Sequence, residues 1–184
     1  MTEPHDYTHH SLEGYYQRDH LLRTFWEHFA DLASKRVVNV GCGRAQSLVD
    51  NPTWFGVDFN PLLPKLWNAL GLSLRTTVHD LRLPLSVHWG EGTDQPAEWT
   101  VSADFLEHVK PKDLPLVAQT LKNLAPNGRH VIDQAPLSSY KALDGASLHP
   151  AAELSHNDWL DAFHLDHNSA SITQIKPGFL LLQY

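Results

Sequence analysis

Val37-Val38-Asn39-Val40-Gly41-Cys42-Gly43-Arg44-Ala45 is the stretch on which the fold turns. Three valines and an asparagine run directly into a turn built on two glycines. A short run this rich in β-branched residues fits a strand buried on both faces, the habit of parallel sheets. The glycines at its carboxyl end remove the side chains that would keep backbone away from a bound group.

Reading outward, the pattern repeats in alternation. Trp54 to Asp58 reads as a second strand ending in an acid, and Pro61 to Leu70 as a helix closed by Gly71. Leu74 to Asp80 is a third strand, again ending in an acid, and Glu98 to Asp104 a fourth. Leu114, Val117, Leu121 and Leu124 mark the next helix, Pro126-Asn127-Gly128 ends it, and Arg129 to Pro136 is a fifth strand. Beyond the irregular stretch from Leu137 to Leu154, Ser155 caps a short helix, with Asp158 favouring its first turn and Trp159, Leu160 and Phe163 on its apolar face. Ile172 to Lys176 and Phe179 to Tyr184, split by Pro177-Gly178, form an antiparallel pair. On the amino-terminal side, Tyr15, Leu22, Phe25, Trp26, Phe29 and Leu32 place an amphipathic helix over Ser11 to Ser34. The expected architecture is α/β: a doubly wound, Rossmann-like, seven-stranded sheet, mostly parallel with an antiparallel C-terminal strand pair. One domain over 1–184 is expected, with 1–34 as an N-terminal helix or lid and 35–184 as the ligand-binding core.

Composition narrows the function classes. With 42% hydrophobic and 19% charged residues the chain has an ordinary globular balance, and no apolar run is long enough to span a membrane. The first residues lack the basic start and apolar stretch of a secretory signal, and the one cysteine, Cys42, allows no internal disulfide. A cytoplasmic location is therefore expected. A formal net charge of −7 disfavours a broad nucleic-acid footprint, which needs lysine and arginine to neutralise phosphates.

In an open α/β sheet, ligands bind beyond the carboxyl ends of the strands. The residues there are Gly41-Cys42-Gly43 after the first, Asp58-Phe59 after the second, His79-Asp80-Leu81 after the third and Asp104-Phe105 after the fourth. A carboxylate at Asp58 suits the two hydroxyls of a ribose, and one at Asp80 suits an exocyclic amine of adenine. Each residue also has a plainer use. Asp58, Asp80 and Glu107 equally suit caps or turns, His108 a packed core position, and Cys42 a small residue in a tight turn. It is their order along the chain that describes a nucleoside-shaped site.

The motifs carry a resemblance. VVNVGCGRA resembles the first motif of class I S-adenosylmethionine-dependent methyltransferases, FGVDFNP the second and VHDLRLPL the third. ADFLEHV followed by LKNLAPNGRHVI is similar to their fourth strand with its Leu-Glu-His turn, then the helix and fifth strand, and the closing strand pair also fits. The resemblance covers about Val37 to Tyr184. It implies an enzyme with S-adenosylmethionine as cofactor, with Asp58 at the ribose, Asp80 at the adenine, and Gly41, Cys42, Gly43, Phe59, His79, Leu81, Asp104 and Phe105 around it. It implies methyl transfer to an oxygen or nitrogen acceptor mainly by positioning, with His108 as the candidate base and a small molecule as the expected partner. The sequence departs from the family at Asn39, where an acid is usual in the first strand, and at Ala45 and Gln46, where a third glycine is usual. An alanine there is tolerable at negative φ and costly otherwise.

Absences and near-matches complete the reading. The position after the fourth strand reads ADFL, without the Asp/Asn-Pro-Pro-aromatic motif of amino methyltransferases acting on DNA bases. The lone cysteine lies in the glycine turn, which excludes the carbon-5 pyrimidine enzymes. Asp104-x-x-Glu107-His108 resembles the metal cluster of some O-methyltransferases, which makes a metal-assisted variant with Asp104, Glu107, His108 and His149 one alternative. A degenerate, cofactor-binding but non-catalytic partner subunit is another, suggested by Asn39 and Ala45. A nicotinamide-dependent oxidoreductase is third, and GCGRAQ lacks the last glycine of its fingerprint.

Overall fold

The structure, a computed structural model, describes residues 24–87, 96–134, 150–165 and 168–184. Its strands are β1 (Val37–Val40), β2 (Trp54–Asp58), β3 (Thr76–Val78), β4 (Trp99–Ala103), β5 (Asn127–Asp133), β6 (Ser171–Lys176) and β7 (Phe179–Gln183). They form one seven-stranded sheet in the order β3-β2-β1-β4-β5-β7-β6. The first five are parallel, and β7 runs antiparallel to both β5 and β6. The expected architecture is the observed one. Strand order reverses beside β1, between β2 and β4, so the carboxyl end of β1 opens onto the crevice where such sheets hold ligands.

Both faces of the sheet are covered, and for that reason β1 and β2 carry no alternation of buried and exposed residues. Every residue of β1 and β2 is buried. Val38, Val40, Phe55, Val57 and Ile132 pack on one face against α3 (Leu114–Leu124) and α4 (His156–Ala162). Val37, Trp54, Val101 and Val131 pack on the other with α1 (Gln46–Asp50), α2 (Leu63–Ala69), Phe25 and Phe29. Leu114, Val117, Leu121 and Leu124 are all buried on α3, as their spacing requires. At α4, the Ser155 hydroxyl accepts the Asp158 N–H while the Asp158 carboxylate accepts the Ser155 N–H, a reciprocal capping box. The end of α2 is a Schellman motif: with Gly71 at φ +71°, the Gly71 and Leu72 amides reach the Asn68 and Trp67 carbonyls.

Three boundaries differ from the sequence expectation. Residues 26–32, expected within a continuous helix to Ser34, form two 3₁₀ turns, Trp26–His28 and Ala30–Leu32. Residues 11–23 of that expected helix lie outside the described residues, as do residues 1–10. The third strand is shorter than expected, because Ser73–Arg75 is a 3₁₀ turn. Asn127 and Gly128, expected to be a turn, already belong to β5. They pair with Trp99 and Thr100, and the Asn127 amide donates to the Glu98 carbonyl.

A polar knot crosses the sheet at β4, β5 and the carboxyl terminus. His130 is fully buried, with Nδ1 2.9 Å from Ser102 Oγ and its ring stacked on Tyr184. Burial alone pulls its pKa down to about 3, so the ring is neutral at all ordinary pH. A histidine depressed in the folded state contributes stability that is complete above its unfolded value and is lost as pH falls toward the folded one. This group should therefore cost on the order of 3 kcal/mol by pH 4. His130→Gln, which keeps a hydrogen-bonding side chain but does not titrate, should flatten the fall in melting temperature between pH 6.5 and 4. An unchanged slope would remove His130 as its source.

Candidate functional site

The turn after β1 is built from left-handed backbone. Gly41 and Gly43 have φ of +66° and +51°, and Ala45 has φ +57°. Ala45 thus falls on the costly side of the glycine replacement, at about 1–2 kcal/mol for an L-residue in this region. Its methyl group is fully buried with Leu48 and Trp54, which offsets part of that cost. A side chain at Gly41 would collide with the Phe105 ring at 2.6 Å, so this position needs glycine for space as well as for φ.

Two side chains clamp the peptide units of Gly43. Its N–H donates to Asp58 Oδ2 at 2.8 Å, and its carbonyl accepts the Trp67 indole N–H at 2.8 Å. The other Asp58 oxygen accepts the Asn60 N–H at 2.9 Å. Burial pushes the Asp58 carboxyl above its ordinary value, while the amides of Asn60, Gly43 and Phe59 pull the other way. Asp58 therefore fastens the end of β2 to the turn after β1.

Past the strand ends lies an open cleft, at the place where such sheets hold ligands. Of the ten residues the sequence proposed around a cofactor, Gly41, Asp58, Phe59, His79, Asp80, Leu81 and Phe105 line it. Cys42 does not: it is buried, and its amide is spent on the Val57 carbonyl. Gly43 and Asp104 are also absent from the lining. Arg82, Val109, Asp113 and Val117 complete the wall and were not singled out from the sequence. Val117 was visible as a core position of α3, but which end of the core it reached was not. Arg82 stands two residues after Asp80 in the same motif, and that spacing was the available signal. Its Nε lies 3.0 Å from both Asp80 oxygens and its Nη2 2.6 Å from Oδ2. The guanidinium holds the Asp80 carboxyl below its ordinary range.

Behind the cleft, the turn after β4 gathers Asp104, Glu107 and His108. Asp104 has φ +57°, and its Oδ1 is 3.8 Å from His108 Nε2. Glu107 is wholly buried. One oxygen accepts the Asp133 N–H at 2.8 Å and the other has no hydrogen-bond partner. Burial first, and the neighbouring Asp104 charge second, raise its pKa well above the ordinary carboxyl value. His108 is buried and is not among the cleft-lining residues. Among the described residues no three histidine, cysteine or acidic side chains are grouped to hold a metal ion, and His149 lies outside them.

No protein-family model and no curated protein matches the sequence. Solved structures do match in shape. The PH0226 protein of Pyrococcus horikoshii OT3 aligns with a TM-score of 0.60 at 12% identity, covering 94% of this chain and 91% of that one. A TehB-like SAM-dependent methyltransferase of Corynebacterium glutamicum aligns at 0.57 and 16%, covering 94% and 96%. PigF, solved with SAH, aligns at 0.58 and 16%; 94% of this chain is covered, and it spans 57% of that longer protein. The chain has the fold of the class I S-adenosylmethionine-dependent methyltransferases. No helix among the described residues is long and apolar enough to cross a membrane.

The raised pKa of Glu107 has a measurable consequence. A carboxyl raised in the folded state gives stability that is present below its unfolded value and is lost as pH rises through the folded one. Glu107→Gln, neutral at every pH, should match the parent at acid pH and melt increasingly above it as pH rises. Parallel melting curves across that range would mean that Glu107 is not the group that titrates.

Proposed function

We propose that the chain binds S-adenosylmethionine in the cleft and transfers its methyl group to an oxygen or nitrogen of a small molecule. One observation carries the reading. Gly41, Asp58 and Asp80, from the ends of three neighbouring strands, line a single cleft in the order a nucleoside needs. The bound cofactor supplies an already activated methyl group, leaving the protein to position the acceptor. Gly41 offers backbone without a side chain. Asp58 faces the cleft with two fixed oxygens whose remaining lone pairs suit ribose hydroxyls. Phe59, Leu81, Val109 and Val117 supply apolar walls of the cleft against which a base can pack. PigF with SAH supports the same assignment by likeness of fold.

The geometry favours positioning over proton transfer. The His108 ring is buried, has Nε2 3.8 Å from the Asp104 carboxylate and is not among the cleft-lining residues, so a direct base role has no cleft-facing atom behind it. We also propose the single-domain organisation and a cytoplasmic location as companions to this reading. A second reading, a cofactor-binding subunit without its own activity, draws on two observations. Ala45 is strained, and Asn39, where the resembled motif usually has an acid, keeps a buried oxygen without a partner.

Titration calorimetry with S-adenosylmethionine, S-adenosylhomocysteine and NAD tests the assignment. The sulfur ligands should bind and NAD should not. Asp58→Asn should weaken them roughly ten- to hundredfold, the worth of charge-assisted hydrogen bonds to a ribose. Melting curves of the variant separate lost ligand contacts from a loosened turn. Absence of binding by the parent protein would overturn both readings, and binding without methyl transfer to any acceptor would favour the second.

A further inference from the structure

The residue that deepens this assignment is Arg82. It adopts a bidentate grip on Asp80 while reaching a second acid on the cleft wall. Asp80 Oδ1 accepts the Arg82 backbone N–H at 3.0 Å and Nε at 3.0 Å, and Oδ2 accepts Nε and Nη2. Both carboxylate oxygens are thus engaged by one residue. On its other side, Arg82 Nη1 lies 3.7 Å from Asp113 Oδ2. Asp113 is buried just ahead of α3, and all three residues line the cleft. The guanidinium is mostly buried too, with 17% of its side chain exposed.

A ligand amine that is to hydrogen-bond Asp80 must take a place that an arginine donor holds. Breaking a fork-to-fork pair outright is costly, because it leaves charged groups short of partners. Here a second carboxylate stands next to the same guanidinium, so Arg82 can turn toward Asp113 and remain paired. We propose that Arg82 competes with the ligand's exocyclic amine for Asp80, with Asp113 as its alternative partner, and so sets how strictly the cleft selects adenine. A base carrying a carbonyl in place of the amine needs no such exchange, because Arg82 stays on Asp80 and can donate to the carbonyl. Arg82 therefore softens a discrimination that Asp80 alone would make sharp.

This inference rests on the proposed cofactor site, and the test separates the two. Dissociation constants for S-adenosylhomocysteine and S-inosylhomocysteine are measured for the parent, Arg82→Gln, Asp113→Asn and the double variant, with melting curves alongside. Arg82→Gln should tighten the adenosyl ligand about five- to tenfold, the net worth of one hydrogen bond that no longer has to be exchanged. It should not tighten the inosyl ligand, so discrimination widens. Asp113→Asn should weaken the adenosyl ligand in the parent background and have no effect once Arg82 is gone. Equal weakening of both ligands by Arg82→Gln, or no change in either, would overturn the inference while leaving the site intact. Failure of the parent to bind either ligand would overturn the proposed function and this inference with it.

Discussion

The hydrogen bond from the Gly43 amide to Asp58 is the interaction on which the rest of the site depends. A sheet edge can hold a ligand only if the loops beyond it keep one shape, and this loop is made of residues in left-handed backbone, one of them an alanine. Such a turn persists only where its surroundings over-determine it. Here they do so twice, with the Asp58 carboxylate on the amide of Gly43 and the Trp67 indole on its carbonyl. Asp58 lies on β2 and Trp67 on α2, so the loop after the first strand is held by the second strand and the helix that follows it. The same carboxylate faces the cleft, which joins local stability and ligand recognition in one side chain.

Much of this was legible in the residues. VVNV and WFGVD are buried on both faces, and their β-branched and aromatic content could have served no half-exposed strand. The capping box at Ser155 and Asp158 was readable because both halves are local. What escaped was set by partners distant in sequence. Phe25, Phe29 and Leu32 are buried as their spacing demanded, yet that spacing fixes a face and not a hydrogen-bond pattern, so two 3₁₀ turns satisfy it as well as a helix does. Asn127-Gly128 has the composition of a turn, and only pairing with β4, nearly thirty residues earlier, makes it strand. The sign of φ at Ala45 decides what that residue costs, and the residue type alone does not give it.

The site residues divide along the same line. Positions at strand ends follow from strand assignment alone, and most of those named lie on one cleft. Their chemical state does not follow from position. Asp80 stands where its motif placed it, but its oxygens are engaged by Arg82. Glu107 sits in the Leu-Glu-His turn as read, but burial beside Asp104 raises its pKa well above the ordinary carboxyl value. A motif locates a carboxyl group, and only the groups around it decide whether that carboxyl is available, occupied or neutral.

The placement of β7 between β5 and β6 governs the order in which the sheet is assembled. β6 and β7 meet across Pro177-Gly178 and can pair locally, whereas β5 must wait for a partner that begins 46 residues after its own last residue, since Asp133 pairs with Phe179. Local pairings form quickly and distant ones pay loop closure first. During that wait, Val131 and Ile132 sit on an open strand edge of the kind that recruits foreign strands. The interval before the hairpin docks is thus when self-association is most dangerous. Docking of the terminal hairpin, with β7 along β5, closes that edge.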